Sequence, residues 1–227
     1  MRARPKPARL LPAILALALA LALASPLAAP AAPLSFDGGW NEQKFRLFSK
    51  NRYGLDGDSL EVRSDGTVSM LWRPLPKAEW GARRARWDWQ VERGVPATDL
   101  TVKGGDDRNL ALYFIFLPRA EAERISAAGG GIRTLLGSAE ARVLVYVWGG
   151  GHRAGAVLQS PYLGDRGRTV VLHPAGTGAH REAVDLGRDF ARAFGAAPGA
   201  LVGLAISADS DDTDSVIRAR ISGLSLE

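Results

Sequence analysis

Residues 86–92 read RWDWQVE, and in them Trp87, Trp89 and Val91 alternate strictly with Arg86, Asp88, Gln90 and Glu92. A period of two sends the apolar side chains to one face and the polar ones to the other, the pattern of a strand with one face buried. Two more runs, LALYFIFL (110–117) and RVLVYVW (142–148), are apolar on both faces and suit central strands covered from both sides. Further out, SLEVRSDGTVSMLWRP (59–74) places two strand-like runs around Ser64-Asp65-Gly66, a hairpin signal. TVVLH (169–173), LVGLAIS (201–207) and SVIRARISGLSL (215–226) complete the set; in the last, Ile217, Ala219 and Ile221 oppose Arg218 and Arg220. Only two stretches look helical: RAEAERISAA (119–128), which ends in three glycines, and GRDFARAFG (187–195), with Phe190 and Phe194 four apart before Gly195. Both are too short for alternating strand–helix units. The expectation is an all-β sandwich of antiparallel sheets with two short helices.

The first residues are read separately. Arg2, Arg4, Lys6 and Arg9 precede an apolar run from Leu10 to Ala24, followed by small residues. That order is a secretory signal, with cleavage expected after Ala24 or Ala31. The run is shorter than the ~20 residues of a membrane span, although its retention as an anchor is the alternative. The domain expectation is a signal over 1–31 and one β-sandwich domain over 32–227, in a periplasmic or secreted protein with no membrane span after cleavage. The chain is formally +5, and the leader holds four basic residues and no acidic one, so the remainder is near +1. GARRAR (81–86) is its only dense basic cluster, too little for a nucleic-acid surface. The absence of cysteine excludes disulfides and thiolate metal sites.

Several segments occur together, and in this order, in one bacterial family. They are WDWQV (87–91), TDLTVKGGDD (98–107), YVWG (146–149), DFARAFG (189–195) and GLAISADSDDT (203–213). Over most of residues 40–225 the chain resembles the domain of unknown function family 3047 (DUF3047). The resemblance implies an exported sandwich of the jelly-roll-like, galactose-binding-like kind; it implies no activity, cofactor or catalytic residue. One departure is His180, where the family has an aromatic residue, usually Trp.

The chemistry candidates are acidic. ISADSDDTDS (206–215) carries Asp209, Asp211, Asp212 and Asp214 within six positions. An EF-hand loop starting at Asp209 would need Gly and Glu where Asp214 and Arg220 stand, so a calcium site here must be of another geometry. The plain alternative is a solvated turn whose aspartates cap backbone amides. KGGDD (103–107) resembles the GGDEF cyclase signature, but Arg108 replaces the third acid and the fold is wrong for it. Its glycines permit a turn before the strand at 110–117. If that strand pairs antiparallel with the one ending at 209, Asp106 and Asp107 meet Asp209 and Asp211, and a cation or shared protons must reconcile the like charges. The speculative calcium ligands are therefore Asp107, Asp209 and Asp211.

No catalytic set stands out. Asp88, Glu92, Asp107 and Asp211 are nominal glycosidase carboxylates, but no spacing pairs any two of them. His152, His173 and His180 show no H-x-x-x-H spacing, and no G-x-S-x-G occurs. Of the six tryptophans, Trp80, among polar loop residues, is the candidate for an exposed sugar platform; packing beneath the loop is its other use. The functional expectation is an exported binding protein for carbohydrate or a cell-envelope component, with Trp80, Asp106, Asp107, Asp209 and Asp211 as ligand-binding residues and calcium as the one candidate cofactor. The alternatives are a hydrolase or lyase acting on polysaccharide through loop carboxylates, and a purely structural periplasmic protein.

Overall fold

The computed structural model describes residues 31–45 and 49–227; the leader reading falls on residues outside that range, apart from Ala31. Among the described residues the strands are β1 (Asn41–Lys44), β2 (Arg52–Asp56), β3 (Ser59–Asp65), β4 (Val68–Pro74), β5 (Arg84–Arg93) and β6 (Arg108–Leu117), then β7 (Arg142–Trp148), β8 (Val157–Ser160), β9 (Gly164–His173), β10 (Gly178–Asp185), β11 (Ala200–Asp209) and β12 (Val216–Leu226). The helices are α1 (Arg119–Ala127), α2 (Ile132–Gly137) and α3 (Leu186–Phe194). One sheet runs β1-β4-β11-β6-β7-β9-β8 and the other β10-β5-β12-β3-β2. The result is an all-β, jelly-roll-like sandwich.

Alternation decides what lies between the sheets. Trp87 of β5 points across to Phe114 of β6 (ring centroids 6.2 Å) and Tyr146 of β7 (5.8 Å), and Trp89 meets Trp148 at 5.7 Å. The doubly apolar strands β6, β7 and β11 are buried along almost their whole length. Their inner side chains reach the five-stranded sheet, and α1 and α2 contribute Ile125, Ile132 and Leu135 to the same core. Helix α3 starts at an Asp185 cap, which accepts the Arg188 N–H, and ends at left-handed Gly195. It is pinned to the core by Phe190 against Phe116 (4.9 Å) and by the Tyr146 hydroxyl, which donates to Asp189 Oδ2 (2.8 Å).

Three details differ from the sequence expectation. The sheets are antiparallel except for β7 and β9, which pair in parallel. The helices expected at 119–128 and 187–195 are joined by a third, α2, only six residues long, which buries Ile132 and Leu135. The largest difference is at 59–74. Strands β3 and β4 are not a hairpin: β3 pairs with β2 and β12, whereas β4 pairs with β1 and β11. Ser64-Asp65-Gly66 supplies a reversal, but the strands it joins sit in different sheets. Local turn chemistry sets the change of direction; the partners arrive from far along the chain.

The two inner tryptophans make a sharp comparison. Trp89 Nε1 donates to Glu182 Oε1 (3.0 Å), while Trp87 Nε1 is buried without an acceptor. Replacing Trp87 by Phe removes an unsatisfied donor, whereas Trp89→Phe strips a bond from a half-buried carboxylate. Trp89→Phe is expected to lower unfolding free energy by about 1 kcal/mol more than Trp87→Phe, and Trp87→Ala to cost about 3–5 kcal/mol. Urea denaturation of the variants measures all three.

Candidate functional site

Strand pairing brings the two acidic segments together. Strands β6 and β11 are antiparallel neighbours, and their register sets Asp209, the last residue of β11, opposite Arg108, the first of β6. Beyond Asp209 the chain leaves the seven-stranded sheet, turns, and enters the other sheet as β12. The carboxylate of Asp107, which is fully buried, is built into that turn. Its Oδ2 accepts from the Thr213 N–H (2.7 Å) and hydroxyl (2.6 Å), and its Oδ1 from the Asp212 N–H (3.4 Å). One carboxylate oxygen each from Asp107, Asp209 and Asp211 then lie within 4.8 Å of one another.

Beside this cluster sits a single guanidinium. Arg108 Nη1 donates to the Asp106 carboxylate (2.8 Å) and carbonyl (2.9 Å) and lies 3.3 Å from Asp209 Oδ2; its Nη2 donates to the Tyr113 hydroxyl (2.7 Å). The Tyr113 hydroxyl is 3.1 Å from Ser207 Oγ. Burial opposes the charge on Arg108, but the oxygens of Tyr113, Asp209 and Asp106 outweigh it and hold the group protonated. Gly149 packs directly against this corner with φ 154°, where a Cβ would come 2.9 Å from Arg108 Cα. That close approach is a physical reason for glycine in the YVWG segment.

Asp209 has the opposite problem. It is 6% exposed, and while Oδ2 faces Arg108, the buried Oδ1 has no hydrogen-bond donor. Burial first, then its neighbours Asp211 and Asp107, push its carboxyl up to about 8 against the pull of Arg108. Two like-charged neighbours and one cation leave Asp209 the poorly matched member of the group.

These residues form part of a cleft of about 500 Å³. Its floor is the outer face of the seven-stranded sheet: Val68 and Met70 of β4, Tyr113 of β6, Val145 of β7 and Thr169 of β9. One wall carries Lys103, Asp106, Arg108, Asp209 and Asp211, and Tyr162 and Phe45 stand at the rim, each 54% exposed. The Tyr162 hydroxyl donates to Asp106 Oδ1 (2.9 Å), and partial burial together with that carboxylate pushes it up to about 12, so it remains a donor at neutral pH. Lys103 Nζ lies 5.2 Å from the Tyr162 ring centroid.

Asp106, Asp107, Asp209 and Asp211 therefore gather in one place, and Trp80 does not join them. It is 3% exposed, its indole N–H donates to the Leu75 carbonyl (2.9 Å), and Lys77 and Arg119 lie over its ring. The exposed-platform reading of Trp80 is corrected: the short turn at Lys77–Glu79 folds the side chain back beneath itself. Of the nominal glycosidase carboxylates, Asp107 and Asp211 come together in this cluster, whereas Asp88, bonded to Arg181 on the five-stranded sheet, and Glu92, exposed on β5, lie elsewhere. His180 stacks on His173 (3.7 Å) and lines a separate depression of about 330 Å³ with Asp88 and Arg181, away from the acidic cluster. Arg108, Tyr113 and Tyr162 escape sequence reasoning. Only the Pro before Tyr162 hints at an aromatic fixed in a loop.

The sequence profile of the DUF3047 family, described as proteins of unknown function, matches residues 38–225, and the chain belongs to that family. No curated protein matches it. Among solved structures it is similar to the xyloglucanase domain of NopAA, a type three effector from Sinorhizobium fredii in complex with cellobiose, at 8% identity, 88% coverage of this chain, 96% of that chain and a TM-score of 0.43. It is also similar to a loop-swap mutant of Necallimastix patriciarum Xyn11A (11% identity, 86% and 94% coverage, TM-score 0.43). A third is the family 11 xylanase from Neocallimastix patriciarum (11%, 83% and 91%, TM-score 0.42).

The position of Asp209 predicts an unusual pH dependence. Its carboxyl lies near 8 in the fold against 3.8 in the unfolded chain, so between those values the native state holds a proton that the unfolded state has lost. The stabilisation is complete below about pH 4 and is lost as pH rises toward about 8. In metal-free buffer the Asp209→Asn variant lacks this slope, so its melting temperature relative to the parent is expected to rise between pH 5 and pH 8. Thermal melts across that range test it.

Proposed function

We propose that this member of the DUF3047 family is an exported binding protein that takes a carbohydrate, or another glycan-like component of the cell envelope, into the cleft. The observation that carries the reading is the Tyr162 ring. It is exposed at the rim, yet its hydroxyl is held by the buried Asp106 carboxylate, so the aromatic face is set before a ligand arrives. Pre-set side chains lower the ordering cost of binding. A sugar ring offers C–H groups on its faces and hydroxyls around its edge. Tyr162 and the apolar floor at Met70 and Val145 suit the faces; Lys103, Arg108 and the carboxylates suit the edge. Few polar groups converging on a largely apolar cleft make an oriented binding site.

Binding is favoured over hydrolysis because the buried carboxylates are already committed within the fold. Asp107 is committed to the turn at Asp212 and Thr213, and Asp106 to Arg108 and Tyr162. Each is in use as a structural acceptor.

Glycan-array screening of the protein, followed by calorimetry, is expected to return at least one polysaccharide ligand. Tyr162→Ala should weaken that ligand about tenfold or more, about 1.4 kcal/mol, while the melting temperature stays near that of the parent. Arrays that are negative throughout, or sugar fragments released from the bound glycan, overturn the reading.

A further inference from the structure

We propose that Asp107, Asp209 and Asp211 bind a calcium ion in the acidic wall of the cleft. The inference stands whatever occupies the cleft. Two segments about a hundred residues apart in sequence supply three carboxylate oxygens within 4.8 Å of one another. A cluster of acids alone is common. Here, however, two of the three, Asp107 and Asp209, are more than nine-tenths buried, and Asp209 Oδ1 has no donor. Buried polar atoms without a partner are rare in folded proteins and ask for an explanation. Arg108 does not provide it, because it faces the other oxygen, Oδ2, at 3.3 Å.

Charge makes the same demand. Arg108 pairs with Asp106 and Asp209, Asp107 and Asp211 crowd against Asp209, and Lys103 lies over Tyr162 at the rim. A dication among the three crowded carboxylates removes most of the surplus. The donor set selects its kind: all oxygen, with no imidazole, and no cysteine anywhere in the chain. Hard cations take such ligands. Magnesium demands near-ideal octahedral geometry and gives up its waters reluctantly, whereas calcium accepts the irregular oxygen sets that separate loops supply. Asp107 is already oriented by Thr213, so part of the site is preformed, and Asp211 is half-exposed and gives access from solvent.

The test needs no glycan. The full-length chain, stripped with a chelator, is titrated with calcium chloride by calorimetry and melted with and without the ion. One ion per chain is expected, with a rise in Tm of roughly 5–10 °C at calcium a hundredfold above Kd. Magnesium should give a smaller rise. Asp211→Asn is expected to lose at least tenfold in calcium affinity, and Asp214→Asn, in the same turn but outside the cluster, to retain it. Should Asp211→Asn not fold, displacement by calcium of terbium luminescence in the unaltered chain, together with Asp214→Asn, carries the test. No heat and no Tm rise, a magnesium effect equal to that of calcium, or full calcium binding by Asp211→Asn would each overturn the proposal. Glycan binding can fail in every one of these samples without affecting it.

Discussion

Two of the chain's crossings between the sheets lie at neighbouring corners, and a buried polar network joins them. One corner leads from β3 to β4, the other from β11 to β12. Ser210, fully buried, lies in the second and Thr67 in the first; the Ser210 N–H donates to the Thr67 carbonyl (3.2 Å), and the Thr67 N–H to Ser210 Oγ (3.3 Å). Ser64 Oγ is 2.8 Å from Ser210 Oγ, and Asn51 closes the set by donating to the Ala208 carbonyl (2.8 Å) and accepting from the Thr67 hydroxyl (2.9 Å). Loops usually run over the surface because buried backbone groups must find partners. Here small hydroxyl and amide side chains meet that requirement for the buried residues Ser64 and Ser210, while Asp65, Asp212 and Asp214 stay exposed. Gly66, at φ 57°, adopts the left-handed conformation that favours glycine, and a Cβ there, 2.6 Å from Asp214 Oδ1, would displace that carboxylate. The corners thus lock to one another side chain against backbone.

The acidic site is a consequence of that crossing. Because β11 ends where it must leave its sheet, its last residue, Asp209, pairs with Arg108 only after a register shift beyond Ser207, and the chain after it turns away. The turn needs acceptors for its own amides, and Asp107 supplies them from the loop that leads into β6. This places an anionic group in the interior for a structural purpose and brings Asp209 and Asp211 against it. Like charges gathered in a region of low dielectric raise one another's energy steeply. The arrangement therefore holds electrostatic strain that a proton or a cation relieves.

The cleft depends on the same geometry at one remove. Arg108 begins β6 and turns its guanidinium between Asp106 and Asp209, and Asp106 in turn holds Tyr162 at the rim. A chain of charge-assisted bonds thereby links the buried cluster to the exposed aromatic ring. Rim, wall and floor belong to strands and loops from across the sequence, yet they are fixed by one buried arginine and the carboxylates around it.

The alternation at Trp87, Trp89 and Val91, and the doubly apolar runs at 110–117, 142–148 and 201–207, were enough to determine a two-layer β architecture, because side-chain periodicity is a property of the strand itself. Family membership was legible for a related reason: its segments include strands and turns, such as YVWG, where packing permits few side chains. Local sequence could not say that Ser64-Asp65-Gly66 bridges two sheets, because a reversal looks the same whether or not its flanking strands pair. Nor could it separate Trp80, folded into the core, from Tyr162, held out in solvent, since exposure is decided by neighbours distant in sequence. The acidic residues were visible as two separate runs. Only the tertiary structure decided that they meet, because the pairing of β6 with β11 and the crossing at Ser210 are made by contacts about a hundred residues apart along the chain.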